Sequence, residues 1–171
     1  MKRGTHLLMG AAAAMPIAVA LPPVGAFGSL WFGMTGGGLP DYLDLRSEAR
    51  RSLRHRGVSH SFLVLVLTVG FAWLVLDALA REEYRLIPVP ERYVLPWSLS
   101  LGVGMLSHLM GDACTRAGIQ PWLPLLRWRV HLLPRFLRGR SDGTINLFAR
   151  AAAVAVLLVG LVLYAHYSLS S

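Results

Sequence analysis

The sequence predicts an all-α membrane protein that crosses the bilayer several times. Three observations carry this. The 171 residues are 54% hydrophobic, well above a soluble domain. Three segments, 60–80, 93–113 and 147–167, each supply the roughly 20 apolar residues that a helix needs to cross a hydrocarbon core of ~30 Å. The arginines gather between those segments rather than within them.

The first forty residues need a separate reading. Pro22-Pro23 divides them into two shorter apolar pieces, 6–21 and 24–38, the second loosened by Gly33 and Gly36-Gly37-Gly38. This pattern predicts an N-terminal helical hairpin of two short or re-entrant helices. Met1-Lys2-Arg3 followed by alanines is signal-like, but apolar character resumes at Val24–Trp31, so cleavage is not expected. No repeat or low-complexity tail interrupts the chain, and residues 1–171 read as a single membrane-embedded domain.

Charge placement orients the helices. Residues 41–58 carry Arg46, Arg50, Arg51, Arg54 and Arg56, and residues 114–146 carry Arg116, Arg127, Arg129, Arg135, Arg138 and Arg140. Both loops are therefore expected to be cytoplasmic. The 81–92 connection balances Arg81, Arg85 and Arg92 against Glu82, Glu83 and Glu91 and suits the opposite side. With Lys2 and Arg3 inside, the N-terminus is expected in the cytoplasm and the C-terminus outside. The net charge of +8 is thus a topology signal, and nucleic acid is not an expected partner. Trp122 to Arg140 mixes Trp, Leu, Pro and Arg, as a segment in the lipid headgroup layer would.

A lone cysteine, Cys114, excludes a disulfide framework and a cysteine-based zinc site. Any metal must be held by histidine and carboxylate. Four of the six histidines fall in polar clusters at the predicted cytoplasmic ends of helices. His6 opens the first piece, Asp41 and Asp44 close the second, His55 and His60 lead into the third, and His108 and Asp112 end the fourth. A histidine at a helix end is ordinarily an interfacial or capping residue, but four such clusters on one side call for a common purpose. His108 and Asp112, four apart, share a helix face; Asp41 and Asp44 do so if the helix continues through Pro40. Ser59 or Ser61 can cap the following helix. His131 and His166 read as structural, and Asp77 is expected to meet headgroups or Arg81.

Four imidazoles and three carboxylates suit one or two divalent ions, zinc first, with manganese or iron as alternatives. An ion there can activate water with Asp44 or Asp112 as general base, while Arg56 can offset charge on a phosphate or simply pair with Asp41 or Asp44. Membrane lipids are expected partners, and an amphiphilic or phosphorylated molecule entering from the bilayer is the simplest substrate. The competing expectation is a site that binds or transports metal without chemistry. The almost uniformly apolar 61–80 and 147–165 count against transport.

The combination of Thr5-His6-Leu7-Leu8, Leu39-Pro40-Asp41 with Asp44, His55-Arg56-Gly57 with Ser59-His60-Ser61, and Ser107-His108 with Asp112 and Gly118 resembles the YdjM-like family of bacterial membrane-bound, metal-dependent hydrolases, sometimes described as LexA-regulated. The resemblance runs from residue 5 to about residue 125 and implies an inner-membrane hydrolase using His6, Asp41, Asp44, His55, His60, His108 and Asp112. The order of these residues is also distantly similar to zinc-dependent phospholipase C, which implies a phosphoester substrate. One departure is visible. Where the family often has a glutamate before the last helix, Asp142-Gly143-Thr144-Ile145-Asn146 stands instead, so Asp142 or Asn146 would have to substitute.

Overall fold

The computed structural model describes residues 1–48, 57–81, 89–140 and 143–170. His55, Arg56 and Asp142 lie outside the described residues. Five α-helices follow in order among those residues: α1 (Arg3–Val19), α2 (Pro23–Glu48), α3 (Phe62–Ala80), α4 (Val94–Ala113) and α5 (Thr144–Ser170). Among the described residues three helical segments, Phe62–Ala80, Glu91–Ala113 and Thr144–Leu169, are long and apolar enough to cross a membrane.

The three long helices begin and end within a few residues of their predicted limits. The hairpin differs more. The second piece was expected to end at Gly38, yet α2 continues through Pro40 to Glu48. At about 1.5 Å per residue, α1 spans roughly 26 Å and α2 roughly 39 Å. The start of α2 meets the start of α4: Trp97 Nε1 donates to the Gly25 carbonyl at 3.1 Å, and Trp97 stacks on Phe32 and Tyr93. The hairpin therefore runs the whole length of α4 rather than turning back partway.

Helices α1, α2 and α4 form the inner layer, with α3 packed on α4 and α5 on α1. Burial follows this order, half of the α4 span being buried against 6% for α3 and 11% for α5. The outer helices present Val66, Phe71, Leu158 and Val162 outward, which suits lipid. In lipid, apolar burial gives little drive for helices to associate, so close van der Waals contact must hold them. Glycine supplies that closeness. A Cβ on Gly37 would lie 2.2 Å from the His6 carbonyl oxygen, one on Gly36 2.2 Å from that of Leu101, and one on Gly104 2.1 Å from that of Gly33. The glycines that were expected to loosen α2 are instead its contact surface with α1 and α4.

Two of the expected local details are resolved by hydrogen bonds. Ser61 caps α3, its Oγ accepting from the Val64 N–H at 3.3 Å. Asp77 pairs with Arg81 at 2.6 Å one turn later. At the other end, residues 114–140 form an ordered loop stapled to its neighbours. Ile119 and Val130 exchange backbone hydrogen bonds, and Leu132 N–H donates to the Ala113 carbonyl. Gly118 turns the loop with φ 65, and a side chain there would strike the Val130 carbonyl oxygen.

Candidate metal centre

The helix ends that meet at one pole of the bundle bring six of the expected site residues together. His6 stands in the first turns of α1, Asp41 and Asp44 near the end of α2, His60 just before α3, and His108 and Asp112 on the last turns of α4. His6, His60 and His108 are fully buried, Asp112 and Asp44 nearly so, and the Asp41 side chain is 19% exposed.

The helical continuation through Pro40 decides where the carboxylates go. Three positions apart, Asp41 and Asp44 share a face but reach different sides of His60. Asp41 Oδ1 lies 3.8 Å from His60 Nε2 and 3.6 Å from His108 Nε2. Asp44 Oδ2 lies 3.5 Å from the other ring nitrogen, His60 Nδ1. Ser59 Oγ donates to Asp44 Oδ1 and sits 3.0 Å from His60 Nδ1. Asp44 is thus behind the ring, and Asp41 is in front of it.

These contacts favour one tautomer of each ring. A carboxylate beside His60 Nδ1 favours the proton there, and the Gly37 carbonyl, 2.7 Å from His108 Nδ1, can only accept from it. Both rings are left with an Nε2 lone pair, and the two nitrogens face each other at 3.0 Å. Two acceptors so placed repel unless a cation or proton lies between them. Tetrahedral zinc holds its nitrogen ligands at about 2.0–2.1 Å, which sets them about 3.3 Å apart. Asp112 Oδ2 completes the group at 3.6 Å from His60 Nε2 and 3.9 Å from His108 Nε2.

His6 adds a third ring, stacked on His108 with centroids 3.7 Å apart. Its Nε2 is 3.2 Å from Asp112 Oδ1, yet neither ring nitrogen has a partner in hydrogen-bonding geometry. A buried imidazole in that condition is costly in a bare protein and satisfied by a ligand. Charge gives the same sign: Asp41, Asp44 and Asp112 bring three carboxylates to the cluster, and the Met1 ammonium stands 2.6 Å from Asp112 Oδ1. With neutral imidazoles these described groups sum to a negative charge, which favours a cation among them. Two overlapping sets, His6-Asp41-His108 and His60-His108-Asp112, each bring their donor atoms within 4.8 Å of one another. The residues fit a divalent cation.

Two contributors were not singled out from sequence as parts of the site, and a third, Asn146, was weighed only as a substitute for a missing glutamate. Ser59, weighed only as a cap, bridges Asp44 and His60. The Gly37 carbonyl orients His108. Asn146, from the region where the glutamate is missing, accepts the Lys2 backbone N–H at 2.9 Å and so tethers the chain just before His6. The pairing of Gly33 with Gly37, a small-xxx-small spacing, was the available signal for the second of these.

Fold and cluster together define a polytopic helical membrane protein with a buried histidine–aspartate group able to hold a metal ion. A family model described as YdjM inner membrane protein matches residues 1–170, and the chain belongs to that family. Comparison with curated proteins and with solved structures gives no match.

Proposed function

We propose that the protein is a membrane-bound, metal-dependent hydrolase that cleaves a phosphoester or ester of a lipid-like substrate. The observation that carries this reading is the approach of the Nε2 atoms of His60 and His108, 3.0 Å apart and flanked by Asp41 and Asp112. His6, Asp41, His60, His108 and Asp112 would hold the ion. Because His108 has one lone pair and it faces this group, the described residues support one centre.

Bound there, a zinc ion, or manganese or iron in its place, would polarise a phosphoryl or ester oxygen and acidify an attacking water. The chain's own residues do the rest. Asp112, whose carboxylate lies beside His60 and His108, is the general base. Asp44 touches the back of His60 and is a positioning residue rather than a base. Asp41 marks the open side of the cluster, where an amphiphile would approach. Arg56, close in sequence to His60, is the expected counter-charge to a phosphate. The distant likeness to zinc-dependent phospholipase C is the ground for preferring a phosphoester.

The near-complete burial of the other donors favours a second reading, a metal that only braces the fold. One experiment separates the three outcomes. Metal content is measured by plasma mass spectrometry on detergent-purified protein after chelator washing, for wild type, His60→Ala and Asp112→Ala. Retention of about one ion, lost in both variants, establishes the site. Turnover of phospholipids or isoprenoid phosphates by the loaded wild type then supports the hydrolase, and loading without turnover supports the brace. Folded wild type that takes up no metal overturns both.

A further inference from the structure

The loop that joins α4 to α5 carries a surface that the metal centre does not use. Its backbone is ordered by hydrogen bonds, yet its largest apolar side chains point away from the protein. Leu125 and Phe136 are each 84% exposed and Trp128 69%, with Trp122, Leu132 and Leu137 about half exposed. A soluble protein rarely displays so many together. Arginine is interleaved with them. Arg127, Arg129 and Arg135 are exposed, and no aspartate or glutamate occurs between Asp112 and Asp142.

The position of the loop names what covers it. It connects two membrane-spanning helices at the pole that holds the His/Asp cluster, so it sits where acyl chains give way to headgroups. Exposed Trp and Leu suit the outer acyl region, and unopposed guanidinium groups suit phosphate-bearing anionic headgroups. The loop is also pinned to the site. Phe62 N–H donates to the Pro121 carbonyl at 2.8 Å, and Phe62 packs edge-on against Trp122 two residues after His60. Leu132 N–H reaches the Ala113 carbonyl, next to Asp112.

We propose that residues 122–137 form a docking surface for anionic phospholipid, embedded at the headgroup boundary beside the metal cluster. The surface is independent of hydrolysis and would hold acidic lipid there whether or not the centre is catalytic.

The test uses the full chain reconstituted in phosphatidylcholine bilayers with and without phosphatidylglycerol. Spin labels are placed at Leu125→Cys and Phe136→Cys in a Cys114→Ser background, both at exposed positions. The expected result is strong relaxation by oxygen and weak relaxation by a water-soluble nickel chelate, placing both labels among acyl chains. Spin-labelled phosphatidylglycerol should associate in preference to phosphatidylcholine, and each of Arg127→Gln, Arg129→Gln and Arg135→Gln should reduce that preference by up to about fivefold. Labels freely reached by the chelate overturn the proposal. So does membrane contact without lipid preference, which would make the arginines topology signals only. Labels shielded in detergent by a second copy, with the protein dimeric, would assign the face to self-association and overturn it as well. A Trp128→Phe variant quenched by brominated lipid no differently from wild type would also overturn it, in a measurement that needs no introduced cysteine.

Discussion

Replacing Gly37 by alanine tests the fold and the metal centre in one step. The new methyl carbon would sit 2.2 Å from the His6 carbonyl oxygen and 3.0 Å from the Gly10 Cα, both backbone atoms that no rotamer change can move. Ordinary contact begins near 3.4 Å. Helix α1 must therefore withdraw from α2 by about 1 Å, which forfeits a large part of the dispersion contact along the seam. Overpacking of this kind costs about 1–3 kcal/mol. The displacement also parts His6 from His108 and tilts the Gly37 carbonyl that orients His108. Metal affinity should fall about 10–100-fold, the usual consequence of losing an orienting partner. The assays are thermal unfolding in detergent and competition with a chromogenic chelator. Gly70→Ala is the control, since nothing lies within 4 Å of its Cβ position, and it should melt no lower than wild type. A Gly37→Ala protein with unchanged melting and metal affinity would refute both the packing and the geometry of the site.

Other variants read separate parts of the structure. Asp44→Asn should keep the fold and still bind metal, about 10–100-fold more weakly, because it removes the charge behind His60 and no donor in front of it; complete loss of metal, equal to His60→Ala, would make Asp44 a ligand. Ser61→Ala removes the α3 cap and should cost about 1 kcal/mol in detergent unfolding with metal content unchanged. Burial pushes the Cys114 thiol above its ordinary value, so less thiolate is present at neutral pH and maleimide labelling should be slower than for a free cysteine peptide, speeding up as pH rises; equal rates would place Cys114 in open solvent.

The parts of the site that depend on local spacing were legible in the sequence. His108 and Asp112 share a face because four residues make about one turn, and this holds whatever surrounds them. Arginine placement alone set the clusters on one side, and the structure gathers the described ones at one pole. The division of labour between Asp41 and Asp44 was not legible, since it depends on how α2 is rotated against the approach to α3, a tertiary quantity. Spacing leaves Asp44 and Asp112 as equal candidates for the base, and only the position of Asp44 beside Nδ1 separates them. The length of α2 escapes the sequence for another reason. Intrinsic propensity counts Gly36-Gly37-Gly38 and Pro40 against a helix, but within a membrane bundle the same glycines gain backbone contact with two neighbours, and that gain decides the outcome.

The donors are contributed by α1, α2, the approach to α3, and α4, in that order along the chain. A ribosome therefore delivers the parts over most of the length of the polypeptide, and no translation product that stops short of residue 112 contains a full set. Among the described residues, helices α3, α4 and α5 are long and apolar enough to cross a bilayer, whereas α1 and α2 pack through the glycine seam against each other and α4. An ion held by the full cluster would therefore be bound only after these helices have come together, since an incompletely inserted chain has only fragments of the donor set.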